Sequence, residues 1–335
     1  MTELSGPAGQ AFFPLDPRHL PGPPQAWHRR PYPQLLRGPN YAWWRALISA
    51  VVFLGGVGVT VVAMAAATVA VMGAEGALNP DGDVSSNSLE SWSTSPSGLL
   101  LTNLSVAAFI VCAQAAVWAG FGWRPRWLAS VAGGIRWRVL AIAFVAAVVL
   151  LVTVTVVADL ILAATTDHSA GLPMDPEQRM VSYLLVIALT TPLQAAGEEY
   201  LFRGWLTQAI GSWFARAGVG AVVAALVSGT AFAFAHGQQD AWLFADRFAF
   251  ALAASWLVWR TGGLEFAIAL HTAYNMMAFG VALALGRLSG LLETTESDPA
   301  AMVINLLLLV VVVAALDLLA RRLGLQREFR PPGVP

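Results

Sequence analysis

Between Val139 and Thr165 the chain carries one ionisable residue, Asp159, in an otherwise apolar run rich in Val, Ala and Leu. A run of that length constrains the fold more than any other feature. A bilayer core of about 30 Å is crossed by about 20 apolar helical residues. Inside lipid only helices and closed barrels satisfy their own backbone groups. Comparable runs recur at roughly 44–73, 97–122, 180–200, 218–236, 243–259, 264–285 and 301–320. The expected fold is all-α, a polytopic transmembrane helical bundle of about eight spans. Composition agrees: 57% of the 335 residues are hydrophobic and 12% charged, with mean hydropathy +0.64. Soluble domains run at about a quarter charged. The net charge of −1 gives no footing for nucleic acid.

The termini and loops divide the chain further. Residues 1–43 hold nine of the 19 prolines and no apolar signal-peptide core. Proline removes backbone donors, so this stretch reads as an extended or disordered cytoplasmic tail. Residues 44–179 form the N-terminal transmembrane spans. Residues 180–285 form a core that carries most of the intramembrane polar groups. Residues 286–335 hold the last span and a basic C-terminal tail. The loops alternate in charge. The N-terminal tail has Arg18, Arg29, Arg30 and Arg37, and the loop after the second span has Arg124, Arg126, Arg136 and Arg138. The C-terminus adds Arg321, Arg322, Arg327 and Arg330. The loops after spans one, three and seven are acidic: Glu75, Asp81, Asp83 and Glu90, then Asp167, Asp175 and Glu177, then Glu293, Glu296 and Asp298. Arginine-rich loops stay in the cytoplasm, so both termini are expected there. The single cysteine, Cys112, excludes an internal disulfide and a cysteine-based zinc site.

Ionisable residues within spans are costly and mark sites by default. Several have structural explanations. Asp317 stands four residues before Arg321, the spacing of a helical ion pair. Asp159 lies near the outer end of its span. Asn103 and Gln114 fit hydrogen bonds between helices. Glu265 opens the seventh span, where the helix dipole favours a carboxylate, and reads as a cap. "AAGEEYLFRGW", residues 195–205, resists such an account. Glu199 and Arg203 are four apart and can pair. Glu198 points about 100° away around the helix, with no cation at that spacing. An unpaired carboxylate in a dry cavity is how a general base is made. "FAFAHG" places Phe232 and His236 four apart, and "HTAYN" does the same for His271 and Asn275.

These motifs, EExxxR (Glu198 to Arg203), FxxxH (Phe232 to His236) and HxxxN (His271 to Asn275), resemble those of the CAAX protease and bacteriocin-processing (CPBP, or ABI) family. That family consists of intramembrane endopeptidases and includes the type II CAAX prenyl endopeptidases. The resemblance covers roughly 185–285. Glu265 departs from it, since an uncharged residue is expected there, and a change at the cavity mouth follows. The resemblance implies peptide-bond hydrolysis of a membrane-embedded or lipidated protein or peptide within the bilayer. It implies Glu198 as base on a water, His236 as water-orienting group, and His271 with Asn275 as oxyanion donors. Glu199 and Arg203 become the supporting pair, with Phe232 on the histidine's helix face.

A zinc ion held by Glu198, His236 and His271 is the alternative to a glutamate mechanism that requires no cofactor. The metal-free route is preferred, because Asn275 is a poor zinc ligand and no carboxylate partner for the histidines is evident. No HExxH or GxGD occurs, and Leu226-Val227-Ser228-Gly229 lacks the first glycine of GxSG. A non-proteolytic membrane scaffold, or a peptide-immunity protein using the same polar cavity, is the other function class. The arrangement demands that Glu198, His236 and His271 converge in one cavity. Straight helices with these boundaries keep them apart, whereas one long helix over 180–215 puts Glu198 in mid-membrane.

Overall fold

The computed structural model describes residues 29–38, 41–78, 82–165 and 178–330. Within them a short strand β1 (Arg30–Pro31) and a 3-10 turn (Tyr32–Gln34) precede α1 (Arg45–Ala74), α2 (Ser86–Ser93), α3 (Pro96–Ala107) and α4 (Phe109–Phe121). Then come α5 (Trp137–Thr165), α6 (Met180–Glu199), a π-helical segment (Tyr200–Leu206) and α7 (Thr207–Gly211). The chain ends with α8 (Ala217–Phe234), α9 (Ala241–Thr261), α10 (Glu265–Ala284), α11 (Leu288–Leu292), α12 (Pro299–Arg322) and β2 (Glu328–Phe329). Among the described residues, eight helical stretches are long and apolar enough to cross a membrane. The second is α3 with α4, broken at Ala108, and the fourth runs unbroken from Met180 to Gly211. The fourth span is therefore longer than the sequence boundary of 200, and it continues for about two turns beyond the "EEYLFR" stretch.

Local chemistry sets the helix ends. Ser85 and Ser88 form a reciprocal capping box at α2. Ser95 caps α3 ahead of Pro96, and Asp240 and Asp298 cap α9 and α12. Gly122 and Gly262 end α4 and α9 in the left-handed conformation. α10 is the central helix, packed on α5, α6 and α9. Every residue from Glu265 to Ala273 is buried. Gly197 brings α6 against the α3–α4 junction, because a Cβ there would collide with the Val106 carbonyl oxygen.

One face of the bundle gathers the N- and C-terminal segments. β1 pairs antiparallel with β2. Tyr32 Oη donates to Leu128 O at 2.5 Å, and Gln34 Nε2 to Phe214 O at 2.7 Å. The expected disordered tail is thus overturned for residues 32–36, which are buried. Tyr32 and the leucines that follow it supply apolar surface that the proline content concealed. Residues 1–28 lie outside the described residues. On the opposite face, Glu75 at the end of α1 accepts from Trp92 Nε1 at 2.7 Å and Ser97 Oγ at 2.5 Å.

Glu265 also differs from its reading as a helix cap. Its carboxylate is fully buried and takes a fork from Arg136: Nε to Oε1 at 2.9 Å and Nη2 to Oε2 at 2.6 Å, with the Arg136 backbone N–H adding a third bond at 2.9 Å. A long-range partner outcompetes the dipole. Glu265 ties the 130–136 loop to α10 and does not line the cavity that holds Glu198. Asp317 pairs with Arg321 as expected and also accepts from Arg260 Nε at 2.6 Å. Asn103 Nδ2 donates to Thr190 Oγ1 at 2.8 Å, joining α3 to α6.

Candidate functional site

The last turn of α6 divides its two glutamates between core and cavity. Glu199 turns inward and is fully buried. Its Oε1 lies 2.7 Å from His271 Nδ1 and 3.1 Å from Arg203 Nη1. A carboxylate only accepts, so Nδ1 is the protonated nitrogen of that ring. The helix changes to π geometry from Tyr200 onward, through Arg203. Such bulges cluster at functional sites because they re-aim side chains. The Arg203 guanidinium, also fully buried, stacks 4.3 Å from the centroid of the Phe232 ring. Phe232 meets His271 edge-on at 5.9 Å and His236 at 4.7 Å between centroids. The phenylalanine is a hub between the arginine and both histidines, a role its sequence position does not disclose.

Removing that ring face tests the hub. Phe232→Leu keeps apolar volume but forfeits a desolvated cation–π contact of about 2 kcal/mol. The melting temperature of the purified protein is expected to fall further than in Phe250→Leu, which removes a ring stacked on Phe232 but no cation contact. Equal melting temperatures would refute the hub.

Glu198 faces a cavity of about 400 Å³. Its Oε1 accepts from Gln194 Nε2. Its Oε2 has no hydrogen-bond partner among the described residues and lies 3.9 Å from His271 Nε2. Gln194 Oε1 in turn accepts from Asn275 Nδ2 at 3.1 Å. Glu198, His236, His271 and Asn275 all line this one cavity. His236 stands just past the end of α8, with Nδ1 2.8 Å from Phe232 O. A carbonyl only accepts, so Nδ1–H donates and Nε2 is left as an acceptor. The turn that follows is anchored by Asp240, which accepts from Leu243 N at 2.7 Å and Ser297 N at 3.1 Å. These backbone bonds, Leu243 first, hold the Asp240 carboxyl below the usual range.

Sequence reasoning missed three members of the cavity wall. Gln194 links Glu198 to Asn275, and its signal was an amide four residues before Glu198 in an apolar run. Asp246 and Arg247 are adjacent charges inside the sixth span that went unweighed. Asp246 Oδ1 accepts from Asn305 Nδ2 at 2.6 Å, and Asn305 Oδ1 from Tyr274 Oη at 2.9 Å. Arg247 Nη1 donates to Gln239 Oε1 at 2.6 Å.

Among the described residues no group of three or more His, Cys, Asp or Glu side chains could hold a metal ion. Glu198, His236 and His271 share a cavity without forming a ligand set. One ground for preferring the metal-free route nevertheless falls. The carboxylate partner for a histidine that the sequence did not reveal is Glu199. It was assigned to Arg203 alone because α10 is distant in sequence.

Searches of curated proteins and of solved structures found no match. A family model did match, over residues 180–277: Rce1-like, type II CAAX prenyl endopeptidase Rce1-like. That segment contains the end of α6, the FxxxH turn and the HxxxN face of α10, so the recognition of a CPBP-type, type II CAAX prenyl endopeptidase-like sequence from its three motifs holds.

Proposed function

We propose that the chain is an intramembrane endopeptidase that cleaves a membrane-embedded or lipidated protein or peptide with a glutamate-activated water. The observation that carries this reading is the pairing of Glu198 Oε2 with His271 Nε2, 3.9 Å apart on the wall of a cavity between membrane helices. Glu198 takes a proton from a water as its oxygen attacks the scissile carbonyl carbon. His236 Nε2 accepts the second water hydrogen and fixes the attack direction. The carbonyl oxygen becomes an oxyanion. Asn275 donates one amide hydrogen to Gln194 and has the other for the oxyanion. Glu199 holds the His271 ring through Nδ1, with Nε2 turned to the cavity beside the forming oxyanion. Collapse of the tetrahedral adduct breaks the C–N bond, and Glu198 returns its proton to the leaving amine. Glu199, Arg203 and Phe232 position these groups.

The test compares membrane and secreted peptides of cells expressing wild type or Glu198→Gln at matched levels. New protein termini are expected with the wild type and absent with the variant. Identical termini in both would overturn the protease reading in favour of a scaffold.

A further inference from the structure

We infer that the cavity is entered from the side of the membrane opposite both chain termini, so that its substrate is a polypeptide segment presented at the extracytoplasmic face. The word substrate rests on the protease reading; the side of entry does not.

The two faces of the bundle carry opposite charge. On the face of the terminal segments the described residues 29–38, 122–136, 212–216, 262–264 and 323–330 hold nine arginines and one acidic residue, Glu328. On the other face, residues 75–78, 82–95, 178–179, 235–240 and 285–298 hold seven acidic residues and two arginines, Arg179 and Arg287. Arginine excess marks the cytoplasmic side, so the terminal face is cytoplasmic.

The cavity extends toward the acidic face. Its wall includes Leu291 and Leu292 of α11 and Leu99 in the first turns of α3, all at that face. His236, Asp246 and Arg247 line the same passage and make it wettable. Toward the basic face the floor is closed. Glu199, Arg203, Leu264, Phe266 and Leu270 are fully buried beneath the glutamate–histidine pair. Under them Ser130 bridges Gly263, and Tyr32 is bonded to Leu128 O. A peptide reaching Glu198 from the cytoplasm would have to displace this packed layer. One arriving from the acidic face meets an existing opening.

Thiol labelling in sealed vesicles of both orientations reads the side of entry directly. The one native cysteine, Cys112, is buried in α4 and gives the blank. Ala278→Cys reports on the cavity wall, Leu292→Cys on the mouth and Gln326→Cys on the terminal face. With a charged, membrane-impermeant methanethiosulfonate, Ala278→Cys and Leu292→Cys are expected to react at least tenfold faster in right-side-out vesicles. Gln326→Cys is expected to show the reverse. Faster reaction of the first two in inside-out vesicles would overturn the proposal. So would a cavity thiol that reacts from neither side while Leu292→Cys is labelled. None of these readouts needs proteolysis, so failure of the side assignment and failure of the protease reading are told apart.

Discussion

Glu198→Gln is expected to lower the rate of peptide-bond cleavage by about 10²–10⁴-fold, the usual contribution of a positioned general base, with little change in the amount of folded protein. The substitution is nearly isosteric. Its carbonyl oxygen still accepts from Gln194, and no buried countercharge is stranded, since Arg203 is paired with Glu199 instead. What disappears is the proton acceptor facing the cavity. Glu198→Asp separates chemistry from geometry. It keeps the carboxylate but withdraws it by one methylene, and a displacement of about 1 Å costs on the order of 10²-fold. Turnover of a substrate found through its new termini, with melting temperatures measured in parallel, checks both variants. A Glu198→Gln protein that cleaves at the wild-type rate would remove Glu198 from the mechanism.

The second large effect concerns stability. Arg203 and Glu199 are fully buried, 3.1 Å apart, and removing Arg203 leaves the Glu199 carboxylate buried with only the His271 ring beside it. Such a break costs about 3–5 kcal/mol, whereas replacing both partners with uncharged groups is often close to neutral. Arg203→Met alone is therefore expected to accumulate poorly and to melt well below wild type. Glu199→Gln combined with Arg203→Met should recover much of the lost melting temperature. Cleavage should stay low in the double variant, because His271 Nδ1 loses the carboxylate that orients it. Thermal melts of the purified variants read the first two outcomes and turnover reads the third. A single Arg203→Met variant that melts with the wild type would show that the pair does not hold this part of the bundle.

The membrane architecture was legible because hydrophobic length is a one-dimensional property. A run such as 139–165 commits to a helix wherever its neighbours lie. The motif residues were legible because charge and imidazole are costly within apolar runs. The i,i+4 pairing of Glu199 with Arg203 followed from helix geometry alone. The boundary of the fourth span was misjudged because the charges at 198–203 look like a helix end. The ion pair of Glu199 with Arg203 and the contact of Glu199 with His271 satisfy the buried carboxylate, and the helix continues to Gly211. The tail was read as extended or disordered because prolines exclude a long helix, but they do not exclude a packed 3-10 turn, which Tyr32 and the two leucines after it provide.

The sequence by itself determined that the chain holds about eight spans long and apolar enough to cross a membrane and where polar residues interrupt them. Local spacing and hydropathy encode both. Only the tertiary structure decided which partners those residues take: His271 with Glu199, Phe232 beneath Arg203, Gln194 between Glu198 and Asn275, Arg136 on Glu265. Each of these except the Gln194–Glu198 bond joins elements far apart in sequence. A contact of that kind is set by how helices pack against each other, and no local pattern records it.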